Sequence, residues 1–366
     1  MVYLCLLVVL LACLTWFIHS HKIYIKTSTM AAVMSLGIIV QGVLFNYFGN
    51  PFSQGFFGKF LSIINLSLWL AFVISVFMAS FGGKFKEIHY SNQINRFAIG
   101  TWVAGTSICG ILLHAEFNQL VFIPRLLTVM NVVLWIIYIG ISLKTLIEII
   151  RTKRFKNVHG ILLLTTVSTQ SIVLLTNAVF KGLPSIMNMT FLIVGFCFYI
   201  ICAFFILFRY VMSSWSIEKD WNNTNCILHG ALSISGIACI KTSLVNADMI
   251  TFIWVSAIMI FLLIESVEIF RMIKRIKHYG FQKGIWTYDV TQWGRIFTFA
   301  MFYTFTFTIK QNLELLVFIK EEIIHIGIWI VLSLLIIEIV LCSNFIIKTY
   351  LTSQKEMHKE NEVTFP

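Results

Sequence analysis

The chain has 366 residues, of which 58% are hydrophobic and only 12% are charged, with a mean hydropathy of +0.88. Soluble domains carry about 25% charged residues, so a soluble protein is excluded. Strand-like alternation is absent, which excludes a membrane β-barrel. The net charge of +11 would suit nucleic acid, but its distribution along the chain assigns it to membrane topology and no nucleic-acid partner is expected.

Apolar stretches near 20 residues predict eleven spans. The first covers 2–19. Its start, Met1-Val2-Tyr3-Leu4, has no basic n-region, and His19-Ser20-His21 is a poor cleavage site, so it reads as a retained helix rather than a signal peptide. The other ten alternate in character. Spans over 29–48, 96–115, 158–180, 226–245 and 292–309 are flecked with Gly, Ser and Thr. Each is followed by a nearly pure hydrocarbon span, at 59–81, 121–149, 185–212, 249–273 and 322–348. A lipid-facing helix gains nothing from Gly, Thr or Gln, whereas a helix lining a packed interior or a wet path does. The expected protein is therefore an all-α polytopic membrane protein with five inner and five outer helices. Its domains are an extra N-terminal transmembrane helix (1–22), a ten-helix core (23–350) and a polar tail (351–366).

Sorting the 27 Lys and Arg by side of this topology puts nineteen on one side and six on the other, with Lys144 and Arg295 inside spans. The positive-inside rule then places the C-terminus in the cytoplasm and the N-terminus outside a cell membrane. The eight cysteines form no CxxC pair and read as small buried hydrophobes.

None of the five inner spans contains Asp or Glu. Cation paths and proton relays place carboxylates inside the membrane, so this composition argues against both. The full charges of the inner spans, Arg96, Arg295 and Lys241, are positive and near helix ends. A positive mouth attracts anions, although the same side chains can snorkel to lipid headgroups. Residues at i, i+4 and i+7 share a helix face, and this phasing gives a set of candidate pore-lining residues. They are Gly37 and Gln41, then Gly100, Thr101 and Gly105, then Thr169 and Gln170. The later helices add His229, Gly230, Ser233 and Gly236, then Arg295, Met301 and Thr304. Small residues serve ordinary helix packing equally well. In the outer spans, Lys144 with Glu148 and Glu268 with Arg271 have ion-pair spacing, while Glu265 and Glu338 lie deeper with no obvious partner. No Gly-rich phosphate loop, GxSxG or His-Glu-x-x-His is present, so no catalytic site, cofactor or metal is expected.

Four inner spans carry motifs in register. Phe97-Ala-Ile-Gly-Thr-Trp-Val-Ala-Gly-Thr106 is similar to FFTxVAGT and Val167-Ser-Thr-Gln-Ser171 to VATQS. His229-Gly-Ala-Leu-Ser-Ile-Ser-Gly236 is similar to NMGAxAIxTLAG. Trp293-Gly-Arg-Ile-Phe297 with Met301-Phe-Tyr-Thr304 is similar to WxxxFPLGMYT. On these segments the chain resembles the tellurite-resistance/dicarboxylate transporter family, which includes bacterial TehA-like proteins and plant slow-type anion channels. The resemblance covers about 29–348. It implies five helical hairpins in quasi-five-fold arrangement around a central pore, a plugging Phe in the last inner helix and a homotrimer in a bacterial cell membrane. By its spacing from Trp293, Phe297 matches the gating position, with Phe299 as the fallback. Thr298 stands where the motif has Pro, and His229 where it has Asn. The expected function is transport of small anions, a dicarboxylate such as malate or an inorganic anion or oxyanion, through a Phe-gated pore. The alternatives are a proton-coupled dicarboxylate carrier and a polytopic membrane enzyme or sensor with a packed core.

Overall fold

The computed structural model describes residues 2–21, 23–180 and 183–363; it is helical, with no strand among them. Met1, Lys22, Lys181 and the end of the expected tail (364–366) lie outside the described residues. Helix α1 (Val2–Ser20) is followed by five hairpins of an inner and an outer helix. They are α2 (Thr27–Phe48) with α3 (Phe56–Phe81), α4 (Asn95–Glu116) with α5 (Phe122–Thr152) and α6 (Gly160–Val179) with α7 (Ser185–Met212). The last two are α8 (Ile227–Thr242) with α9 (Ala247–Gly284) and α10 (Gln292–Thr308) with α11 (Glu314–Val363). Eight of these helices, α2 to α7, α9 and α11, are long and apolar enough to cross a membrane. Helix α11 continues through the stretch expected as a polar tail. Helix α9 breaks at Gly280, whose φ of 74° only glycine adopts readily.

The inner helices close a ring. Helix α2 packs on α4, α4 on α6, α6 on α8, α8 on α10, and α10 returns to α2. Outer helices α3, α5, α7 and α9 each bridge two neighbouring inner ones, and α11 packs on α10. Burial follows composition: α2, α4 and α6 have 72% to 83% of their apolar window buried, the outer helices of the five hairpins only 17% to 39%. The outer helices therefore present their Leu, Ile and Phe to lipid, where apolar side chains cost nothing.

Polar residues within the spans are used to register helices against each other. The indole N–H of Trp69 on α3 donates to Thr106 on α4, that of Trp135 on α5 to Thr169 on α6, and that of Trp254 on α9 to Thr306 on α10, each at 3.0 Å. One device thus recurs in three hairpins: an outer-helix indole bonded to a hydroxyl of the next inner helix. Close backbone approach also depends on small residues. A Cβ at Gly236 would lie 2.1 Å from the Phe305 ring, and one at Gly230 2.3 Å from Thr298, so α8 and α10 could not meet as they do. The inner helices contain no proline, and the irregularity in α2 is instead a π-turn at Ile39–Leu44.

Candidate functional site

A cavity of about 580 Å³ lies inside the ring, and all five inner helices line it. Helix α2 contributes Gln41 and Asn46, α4 Ser107, α6 Ser171 and Asn177, α8 Lys241, and α10 Met301, Thr304 and Thr308. These residues come from the C-terminal half of each inner helix. A second cavity, of about 450 Å³, is lined by Ser28, Asn95, His159, Ile161, Asn222 and Thr291, at the N-terminal ends of the same helices, together with Lys156, Arg209, Lys219 and Asp220. The five inner helices therefore run parallel, and their positive dipole ends converge on one mouth.

The central cavity, or vestibule, mixes aliphatic side chains (Ile38, Ile108, Ile111, Leu174, Ile234 and Ile237) with hydroxyls and amides; among the described residues its lining has no carboxylate, and Lys241 is its one full charge. Ser107 and Ser171 face each other at 3.1 Å, and Asn131 of α5 donates to Ser107 at 2.9 Å. Gln41 donates one amide N–H to the Ile108 carbonyl at 3.0 Å. Thr304 and Thr308 bond back to their own helix at 2.7 Å, and these hydroxyls can rotate toward a passing ion. One turn nearer the N-terminal mouth, the same faces carry Met34, Ala104, Val167 and Phe297. All four are at most 1% exposed and belong to one apolar cluster. These four buried side chains, an apolar layer or plug, lie along the inner helices between the residues that line the vestibule and those that line the mouth cavity.

Of the expected lining residues, Gln41, Met301 and Thr304 reach the vestibule. The others lie apart from it. Gly37 abuts Ile108 and Asn65, Gly100 abuts Leu164 and Tyr138, and Gly105 abuts Met30. Gly230 and Gly236 admit α10 as described. Thr101 donates to the carbonyls of Ala98 and Thr27, Thr169 receives Trp135, and Gln170 points to α7, donating to the Leu192 carbonyl. Ser233 bonds back to His229. The His229 ring is enclosed by Phe261, Phe299 and Phe302, with ring centroids 5.0 to 6.2 Å away. Phe299 belongs to that aromatic cluster, on the side of α10 away from Phe297. Arg295 also turns from the axis: it pairs with Glu265 on α9 and approaches Glu268 at 3.9 Å. Glu265, which had no evident partner in the sequence, is therefore answered by an inner-helix arginine. Glu148 pairs with Arg96 at 2.8 Å rather than with Lys144, whereas Glu268 and Arg271 do pair, at 3.4 Å.

Asn46, Ser107, Ser171, Asn177, Lys241 and Thr308 supply the other polar groups of the lining, beside aliphatic residues of the same helices, and were not among the candidate pore-lining residues, although Lys241 was expected as an inner-span charge. On α10 the signal is legible, since Thr308 continues the stripe 297, 301, 304. On α6 polar residues surround the helix, and periodicity cannot choose among them.

Ring, vestibule and alternating burial define a polytopic helical membrane protein. From residue 24 to residue 343 the sequence matches the family model described as voltage-dependent anion channel, and the chain belongs to that family. No curated protein matched the chain.

Proposed function

We propose that this protein conducts small anions along the axis of the five-helix ring, with Phe297 as the closing side chain. The observation that carries this reading is the vestibule lining: hydroxyls, amides and one lysine set among aliphatic side chains such as Ile108, Leu174 and Ile237, with no carboxylate. Such groups replace part of an anion's hydration shell without holding it too tightly to leave. Phe297 supports the gate assignment by its place in the plug, one turn below Met301. Rotation of its ring away from the axis would join vestibule and mouth. The positive-inside distribution supports a cytoplasmic N-terminal mouth, with α1 starting outside. With the cytoplasm negative, the field contributes about 2.3 kcal/mol per charge per 100 mV and favours anion efflux. The proposed substrate class is a dicarboxylate or an inorganic anion or oxyanion, and the proposed assembly is a homotrimer in a cell membrane.

The experiment is conductance of purified protein in planar bilayers, with chloride, nitrate, malate and sulfite. Phe297→Ala raises anion current over the unsubstituted chain. An unchanged or cation-selective current would sink the proposal.

A further inference from the structure

Among the described residues Arg209 is the one buried arginine, and it differs from the half-buried Arg96, Arg271 and Arg295 in its partners. Arg96, Arg271 and Arg295 each have a carboxylate within ion-pair distance. Arg209, at the end of outer helix α7, is 5% exposed and has none among the described residues. Its guanidinium donates to the Val158 carbonyl at 2.8 Å, the Tyr210 hydroxyl at 3.0 Å and the Asp220 carbonyl at 3.0 Å, and its Nε–H has no partner. Carbonyl and hydroxyl dipoles orient the group but leave its unit charge uncompensated, and a buried charge without a counter-charge is strongly unfavourable.

Arg209 lines the mouth cavity of about 450 Å³. Lys156 and Lys219, both exposed, stand at its rim. Asp220 is the one acid in the lining, and its carboxylate already accepts the Ser216 amide at 2.8 Å. Asn222 turns its carbonyl oxygen to Thr224, which leaves its amide N–H groups to the cavity. Ser28, Asn95, Ile161, Asn222 and Thr291 place the cavity where all five inner helices begin, on the ring axis rather than against lipid.

We infer that this mouth is an oxyanion-binding site centred on Arg209, distinct from the vestibule, which takes a carboxylate- or sulfate-type anion from the aqueous phase. Several oxygens on one ligand can accept from the guanidinium, the two ammonium groups and an amide together, which a spherical halide cannot match. A water occupies about 30 Å³, so a four-carbon dicarboxylate fits with several waters. The site selects and concentrates the anion at the entrance, while the plug at Phe297 decides passage. Its role as an entrance rests on the transport reading; its binding chemistry does not.

The test is titration calorimetry on the purified full chain in detergent, with sulfate, malate and chloride at matched ionic strength. Sulfate and malate are expected to bind at least about tenfold more tightly than chloride. The double variant Lys156→Gln/Lys219→Gln, which alters two exposed side chains, weakens them about tenfold with the unliganded melting temperature unchanged. Arg209→Gln abolishes binding if it folds, and the lysine variant decides if it does not. Lys241→Gln, in the vestibule, weakens binding less than the mouth variant does. Oxyanions held no tighter than chloride, a lysine variant that binds like the unsubstituted chain, or a larger effect from Lys241→Gln each overturns the site. Sulfate binding by a chain that carries no anion current overturns the transport reading alone. Anion current through Phe297→Ala without sulfate binding overturns this site alone.

Discussion

Two phenylalanines two residues apart on α10 have opposite surroundings. Phe297 is buried in the apolar plug on the stripe that continues to Met301, while Phe299 packs on His229 and Phe261 at 6.0 and 5.0 Å. Truncating Phe299 therefore leaves a hole in a packed cluster. Phe299→Ala is expected to cost about 3 to 5 kcal/mol of stability without opening the ring, read as a lower melting temperature with unchanged conductance. His159, just before α6, accepts or donates at 2.8 Å with Thr224. Burial, and next the Arg209 charge, pushes its imidazole down to about 4 from the usual 6.5. The folded state then holds the ring neutral where the unfolded chain would protonate it. Its contribution to stability is complete above pH 6.5, falls as pH drops toward 4, and levels off below. Melting temperatures measured across that window should fall less steeply in His159→Gln; equal slopes would contradict the assignment.

At the scale of elements, α9 and α10 meet through Arg295, Glu265 and Glu268 rather than through many small residues. Removing one partner of a buried pair strands the other charge. Glu265→Gln is expected to destabilise the protein by on the order of 3 kcal/mol, and Glu265→Leu with Arg295→Met to recover most of it, as a thermal-unfolding double-mutant cycle would show. The inner helices' polar residues divide by element too. Sequence periodicity marks α10 well, because its apolar and hydroxyl residues form one stripe. It fails on α6, where Thr169 and Gln170 serve α5 and α7 while Ser171 reaches the vestibule. Glycine composition was also ambiguous in kind, since Gly37, Gly100, Gly105, Gly230 and Gly236 all admit a neighbouring helix closely.

The whole molecule is a closed ring with one added helix. Helix α1 packs on α3, outside the ring, and the family match begins at residue 24, after it. The chain from Ile25 on is tied into the core: Ile25 donates to Ser75 at 3.2 Å, and Trp102 donates to the Thr27 carbonyl at 3.0 Å. Deleting residues 1–21 is therefore expected to leave the ten-helix ring folded and the Phe297→Ala current intact, measured in the same bilayers. Loss of the current on deletion would make α1 part of the conducting unit.

The helical membrane class, the alternation of inner and outer helices and the absence of carboxylates from the inner spans were readable from the chain alone; of the eleven spans expected, eight of the described helices are long and apolar enough to cross. Hydropathy and composition are local properties, and a bilayer of fixed thickness converts them directly into helices and their burial. The face each inner helix turns to the axis was decided only by tertiary packing. A buried Thr, Gln or Arg is equally well satisfied by a neighbouring helix or by a wet cavity, and the neighbours are distant in sequence. So Arg295 went to Glu265 on another helix, Gln170 to the Leu192 carbonyl, and Arg209 to two carbonyls and the Tyr210 hydroxyl beside the mouth.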